Sequence, residues 1–346
     1  MITNKIIEAV DRLELDLSGK VVLTEAATGP YAVTPIIAAL AGGEVYAYTR
    51  PTKYGSVEEV KKQTEGILSK FNKKKWAIEI VDALSPSLIA NANIITNSGH
   101  LRPLNKEKLQ YAKKSVVIPL MYESWEWRNE DLDINYCKEK KIEVGATNER
   151  HPDIDVFNYL GDMALKMIFD AGLCPYNNYY ILMCNNDFGP FIAKVLSKVC
   201  KGLAVCDKIE NQAKYSGLDI DWIGNFPEFN IPGKYKRSEA VLFTAYPFDK
   251  KWIGGDDMPI QSSRLMTELE NPFILRYAGD IDEAACAKNI LFYPELVPSG
   301  HMGILPSTIG IDPIIRLQSG GLKVAELMLK GETSYNGRLI VEAINV

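Results

Sequence analysis

Hydrophobic positions in this chain fall into two alternating patterns. Short continuous apolar runs, bounded by Gly, Asn, Asp and Pro, read as buried strands. Apolar residues spaced three and four apart read as amphipathic helices. The stretch from Tyr179 to Asp207 carries both patterns. Tyr179-Tyr-Ile-Leu-Met-Cys184 is a strand and Asn185-Asn-Asp-Phe-Gly189 a turn. Pro190 to Cys200 is a helix, apolar at Phe191, Ile192, Val195, Leu196 and Val199, and Pro190 suits a first helical position. Gly202-Leu-Ala-Val-Cys-Asp207 is a second strand that ends in an acid.

The same alternation fills residues 20–146. Strands are expected at Lys20–Thr24, Gly43–Tyr48, Trp76–Val81, Ala92–Thr96, Ser115–Leu120 and Ile142–Ala146. Helices are expected at Tyr31–Ala41, Val57–Phe71, Leu104–Ala112 and Leu132–Lys138, with Lys73 to Lys75 a solvated turn. A long helix over Asp155–Ala171 leads to the Tyr179 strand. Beyond the central unit come strands at Ala240–Tyr246 and Pro272–Tyr277 and a helix at Asp282–Lys288. A long helix follows at Pro313–Lys330, where Gly320-Gly321 should break or kink it, and then a last strand at Gly337–Val346. Strands alternating with helices imply an α/β fold of doubly wound, parallel-sheet, Rossmann-like domains.

At 346 residues, 47% of them hydrophobic, the chain can build two domains with a core each. Its net charge of −5 argues against nucleic acid or an anionic membrane as a partner. No apolar stretch is long enough to span a bilayer, so no membrane role is expected. The amphipathic, charged start from Met1 to Lys20 is unlike a signal peptide. Six cysteines form no C-x-x-C pair, which argues against a metal site or disulfides and for a reducing, cytoplasmic setting. Only His100, His151 and His301 can serve as imidazole acid–base groups near neutral pH.

Strand, turn, helix, strand and terminal acid is the layout of a dinucleotide-binding unit. There the pyrophosphate sits on the helix N-terminus and the acid takes the ribose hydroxyls. Set against G-x-G-x-x-G, the three positions are Cys184, Asn186 and Gly189, so only the third glycine is kept. Asn186 tolerates a left-handed backbone and offers an amide donor. The same segment also reads as a structural crossover without a nucleotide. Thr28-Gly29 opens another helix, where the turn can hold an anion or merely connect.

From about residue 91 to the end, the order and spacing of segments resemble the D-isomer-specific 2-hydroxyacid dehydrogenases, the family of formate and D-glycerate dehydrogenases. The resemblance runs through Leu104-Asn-Lys-Glu-Lys-Leu109, Asp131-Leu-Asp-Ile-Asn135 and Val144-Gly-Ala-Thr-Asn148 to Ala204-Val-Cys-Asp207. It continues in Tyr246-Pro247, Tyr277-Ala-Gly-Asp-Ile-Asp-Glu-Ala284 and Ser299-Gly-His-Met-Gly303. It implies a flavodoxin-like substrate domain of residues 1–150 with 306–346, into which a nucleotide domain of residues 151–305 is inserted. It also implies NAD as cofactor, held by Asn185, Asn186, Phe188, Gly189, Asp207, Tyr246 and Pro247, and a homodimer. His301 falls on the family's catalytic histidine. The family's carboxylate-binding arginine falls on Tyr277, with Arg276 one residue earlier, and a one-residue shift in a strand turns a side chain to the other face. The glutamate that pairs with the histidine has no clear counterpart, and Glu295 is the nearest carboxylate.

These residues outline a chemistry. NAD would carry the hydride and His301 would take the hydroxyl proton as an alcohol becomes a carbonyl. Arg276, Arg102 or Arg128 would hold a substrate carboxylate or phosphate by paired hydrogen bonds. Asn97, Ser98 and His100 would face the substrate, with Tyr122, Glu123 and Trp125 as walls. The expectation is an NAD-dependent oxidoreductase acting on an anionic hydroxy or oxo acid in an interdomain cleft, with His301, Arg276 and Glu295 as its catalytic set. The alternative is a non-redox ligand-binding protein, or a lyase or hydrolase, on a degenerate dehydrogenase scaffold. Arg276 reads equally as a structural ion-pair residue, Asp207 as a strand end, Glu25 as a helix cap and His151 as a loop histidine.

Overall fold

The computed structural model describes residues 2–72 and 75–344. Lys73 and Lys74 of the expected turn, and Asn345 and Val346 of the expected last strand, lie outside the described residues. The chain divides into two compact units, Met1–Val156 with Gly310–Val346, and Phe157–Ile309.

Unit 1 opens with α1 (Ile2–Arg12), β1 (Val21–Glu25), α2 (Thr34–Leu40), β2 (Glu44–Tyr48), α3 (Val57–Leu68) and β3 (Ile78–Val81). It continues with α4 (Pro86–Asn91), β4 (Ile94–Ile95), α5 (Lys106–Leu109), β5 (Val117–Pro119), α6 (Ile134–Lys140) and β6 (Glu143–Thr147). Its central strands are apolar on both faces, as parallel strands covered on both sides must be. Helix α3 starts in a capping box: Glu59 N–H donates to Ser56 Oγ, and Ser56 N–H donates to the Glu59 carboxylate. The sheet order is β3-β2-β1-β4-β5-β6, all parallel, with Val341–Glu342 antiparallel outside β6. This departs from the flavodoxin-like order because β3 pairs outside β2, completing the six-strand order of a dinucleotide fold.

The C-terminal helix Asp312–Lys330 is buried along most of its length and runs unbroken through Gly320-Gly321. The expected kink is absent, and the two glycines instead allow close packing. A Cβ on Gly320 would lie 2.7 Å from the Ile154 side chain, and one on Gly321 would lie 2.5 Å from Met121 Sδ. The expected last strand is two short ones, Arg338–Leu339 and Val341–Glu342, in different sheets.

Unit 2 contains α7 (Leu160–Asp170), β7 (Tyr179–Cys184), α8 (Phe188–Val199), β8 (Gly202–Asp207), β9 (Asp221–Asn225) and β10 (Ala240–Thr244). Next come β11 (Lys251–Gly254), β12 (Ile260–Gln261), α9 (Ser262–Glu268), β13 (Phe273–Ala278), β14 (Asp280–Ile281) and β15 (Leu291–Tyr293). Its main sheet has the order β9-β8-β7-β10-β13-β15, all parallel, which repeats the winding of unit 1. A small sheet β12-β11-β14 is set beside it in the chain. The expected helix over Asp282–Lys288 is a single 3-10 turn, Glu283–Ala285. No residue of that turn is buried, so there was no apolar stripe to hold a longer helix.

Gly321→Leu should destabilise unit 1 by about 1–3 kcal/mol through overpacking against Met121. Gly66→Ala, in α3 with open space around a new Cβ, should stabilise it by about 0.5–1 kcal/mol. Urea unfolding followed by circular dichroism measures both.

Candidate functional site

Parallel strands bring all their C-terminal ends to one edge of a sheet, and ligands of α/β folds bind there. In unit 2 the winding reverses between β7 and β10, and the expected cofactor residues lie at that switch point. The Asn side chains knit it together. Asn185 Nδ2 donates to Tyr246 O (3.1 Å), and Tyr246 N–H donates to Asn185 Oδ1 (2.7 Å). Asn186 Nδ2 donates to Thr244 Oγ1 (3.0 Å), and Phe188 N–H donates to Asn186 Oδ1 (3.1 Å). Tyr246 and Pro247 are exposed. The Phe188 side chain turns into the core against Phe157, Phe248 and Tyr277, so only its backbone faces the turn.

Asp207 ends β8 as expected, but it is fully buried. Its carboxylate accepts from Tyr215 Oη (2.6 Å), from Asn211 Nδ2 (3.2 Å to each oxygen) and from Lys208 N–H (2.6 Å). Burial pushes its pKa up, and these donors pull it back down. Tyr215 also lies over Gly189, where a Cβ would be 2.2 Å from the phenol oxygen. The third glycine of the fingerprint is thus needed for packing. In kind, the backbone donors at the head of α8 and the acceptor Asp207 fit a dinucleotide. For a ribose to reach Asp207, Tyr215 must first leave it.

The expected catalytic set is split by environment. His301 is exposed, and its Nδ1 lies 2.9 Å from Ser299 O. Glu295 is exposed. Arg276 is 4% exposed and forms an ion pair with Asp280. Its Nε also donates to Gly279 O (3.0 Å). Asp280 in turn accepts from the Ser299 hydroxyl and from Gly300 N–H (3.1 Å). Arg276 therefore commits its guanidinium to Asp280 and the Gly279 carbonyl. The one-residue shift along β13 turns it inward, and through Asp280 it braces the turn that carries His301.

The C-terminal edge of unit 1 gathers more charge than the sequence had signalled. Glu25 ends β1, Arg50 follows β2, Asn97 to Arg102 follow β4, Tyr122 to Arg128 follow β5, and Glu149 and Arg150 follow β6. Asn97 is fully buried: its Nδ2 donates to Tyr122 Oη (2.8 Å), and its Oδ1 accepts from Arg102 Nε (3.2 Å). Ser98 is buried, with its hydroxyl 2.7 Å from Thr96 Oγ1. Asn97 and Ser98 therefore stand behind the edge and hold it. His100 is half-buried, with Nδ1 3.3 Å from Thr49 Oγ1, and its backbone N–H donates to Glu25 Oε2 (3.0 Å). Burial and the charge of Arg50 lower the His100 pKa, which keeps the imidazole neutral at pH 7. Trp125 Nε1 donates to Glu123 Oε2 (2.5 Å), and Arg150 pairs with Glu123 (3.2 Å). Glu25 does not cap the first helix. It accepts from the His100 amide, and burial raises its pKa. Glu126 and Glu149 complete the group and carry no motif. Their only signal in the sequence is position just after an expected parallel strand.

Each unit is a Rossmann-wound parallel sheet, and the second is inserted in the chain of the first. No family model and no curated protein matches the sequence. Solved structures do match. The A chain of dipicolinate synthase from Bacillus subtilis aligns over 92% of this chain and 99% of its own, with TM-score 0.59 at 10% identity. A transhydrogenase from Sinorhizobium meliloti aligns over 89% and 93%, with TM-score 0.50 at 10% identity. An NAD-complexed D-isomer-specific 2-hydroxyacid dehydrogenase from Lactobacillus delbrueckii ssp. bulgaricus aligns over 93% and 100%, with TM-score 0.46 at 13% identity. No helix among the described residues is long and apolar enough to cross a membrane.

Burial raises the pKa values of Glu123 and Glu126 to about 7, and Glu149 goes up as well. A carboxyl raised above its unfolded value binds its proton more tightly when folded. Its contribution is fully present below the unfolded pKa and is lost as pH rises through the folded one. Unit 1 should therefore lose thermal stability from about pH 5 to about pH 8, and Glu149→Gln should flatten that slope. Melting curves across this range measure it.

Proposed function

We propose that this chain is an NAD-dependent oxidoreductase of the two-domain dehydrogenase kind, acting on a small anionic hydroxy or oxo acid. The observation that supports it most is unit 2 itself: an all-parallel sheet of dinucleotide order, with a turn and helix after its first strand and an acid ending its second. The similar D-isomer-specific dehydrogenase is described as an NAD complex, in keeping with this reading. NAD, when bound, supplies hydride transfer. The chain's own part is to bind, orient and move a proton. His301 is solvent-reachable and held at Nδ1, which suits it to exchange a proton. Arg50, exposed beside His100, is suited to an anionic group. A homodimer and a cytoplasmic setting belong to the same reading.

Asp207 favours a second reading. Its acceptor oxygens are already used by Tyr215, Asn211 and Lys208, which is the state of a dinucleotide scaffold turned to non-redox binding, lyase or hydrolase work.

Titration of NAD and NADH into the purified chain decides between them. Under the first reading NAD binds, and Tyr215→Phe tightens it about tenfold by releasing one hydrogen bond to a charged acceptor. His301→Ala should lower turnover by about 10²–10⁴-fold with NAD affinity unchanged. Absence of binding by both the native chain and the Tyr215→Phe variant would leave only the non-redox reading.

A further inference from the structure

We propose that the 3-10 segment Ile209–Tyr215 is a strap that closes the nucleotide site of unit 2 from within, and that a nucleotide enters only when this strap swings away. The proposal rests on the reading of unit 2 as a nucleotide domain. Three of the seven side chains in the segment reach that site. Asn211 Nδ2 donates to both oxygens of Asp207 (3.2 Å each), and Tyr215 Oη donates to Oδ2 (2.6 Å). A ribose offers such an acid two neighbouring hydroxyls, and here an amide and a phenol stand in for them. Lys214 Nζ donates to Asp187 Oδ1 (2.8 Å), and Asp187 is the residue from which α8 starts. The Tyr215 phenol also lies against Gly189, where a Cβ would collide with its oxygen. One short segment thus covers both the acid that ends β8 and the turn that opens α8.

The way the strap is attached suits it to opening. Only Asn211 and Tyr215 of the segment are buried, and its one large aliphatic side chain, Ile209, is 51% exposed. Its hold on the fold is the pair of contacts with Asp207 and the packing of the Tyr215 ring on Trp222, with centroids 5.7 Å apart. The Lys214–Asp187 pair is about half exposed on each side and adds little. A segment with so few buried apolar contacts opens more readily than core strands, such as β10, which is buried throughout. The start of the segment is pinned, because Lys208 and Ile209 N–H donate to Asp207 Oδ1 (2.6 Å) and Asn225 Oδ1 (3.0 Å). Its far end meets Gly217, at φ +80° with open space around a Cβ, which serves as a joint.

Opening exchanges the Asn211 and Tyr215 donors for the two ribose hydroxyls and keeps the Lys208 amide. Asp207 is then satisfied in both states, so neither state leaves a buried acid without donors. A nucleotide that binds only the open state shifts the equilibrium towards it.

Hydrogen exchange and stopped-flow binding on the intact chain test the strap. Without ligand, amides of residues 211–217 should exchange at least about tenfold faster than those of β7, β8 and β10. NAD should speed exchange in that segment further. The observed rate of NAD binding should level off as NAD rises, because opening comes first. Tyr215→Phe should raise that plateau about tenfold by removing a hydrogen bond to a charged acceptor. Lys214→Gln, a surface change that leaves the core untouched, should raise it about twofold. NAD binding to Tyr215→Phe but not to the native chain would also support the strap. A native binding rate that stays linear in NAD, or exchange of the segment no faster than that of β8, overturns the strap and leaves the NAD reading standing. If no chain binds NAD, the same measurements are made with ATP and adenosine. Binding of either with faster exchange in the segment keeps the strap and removes NAD, whereas no binding by any chain removes both.

Discussion

Parallel strand pairing is the constraint on which this protein rests. A parallel strand cannot return through a tight turn, so each strand must be followed by a crossover that packs on a sheet face. Both faces are then covered, the strands become apolar throughout, and every C-terminal end comes out at the same edge. In each unit the winding starts in the middle, at β1 or β7, and reverses at β4 or β10. The reversal parts two crossovers and leaves a gap over the strand ends. Backbone geometry thus makes a ligand edge in both units, whatever side chains line it.

The side chains then treat the two edges differently. In unit 2 the polar groups at the switch point satisfy one another. Asn185 bridges to Tyr246, Asn186 to Thr244, and Tyr215 to Asp207. Each bond meets the need of a buried polar group for a partner, and together they stand where glycines would leave the backbone bare. In unit 1 the balance is reversed. Asn97, Arg102 and Tyr122 form a satisfied layer behind the edge, with the guanidinium stacked over the phenol ring. In front of it stand Glu123, Glu126 and Glu149, whose carboxyl groups burial pushes up in pKa.

Arg276 illustrates how a buried ion pair can hold a turn in place. It is buried with Asp280, and Asp280 collects the Ser299 hydroxyl and the Gly300 amide. The pair holds the turn that projects His301. Gly303 lies close behind, where a Cβ would be 1.9 Å from Arg276 O, so the turn is drawn tightly onto β13.

The sequence by itself determined the strands, the long helices, the α/β class and the two Rossmann-like windings, because buried strands and amphipathic helices impose their periods on local composition. It also marked Asn97 to His100 and Tyr122 to Trp125 as an edge, since both follow apolar runs directly. Only the tertiary structure decided the pairing of β3 outside β2, the short turn at Glu283–Ala285 and the unbroken Gly320-Gly321 helix. Each depends on what packs against the segment. The same holds for the site. Asp207 has the right position for a ribose, but Tyr215, eight residues on, is brought onto it by the fold. Glu25, Glu126 and Glu149 are far apart in the chain and carry no shared spacing. They meet because parallel pairing aligns the ends of β1, β5 and β6, and a local pattern cannot encode that.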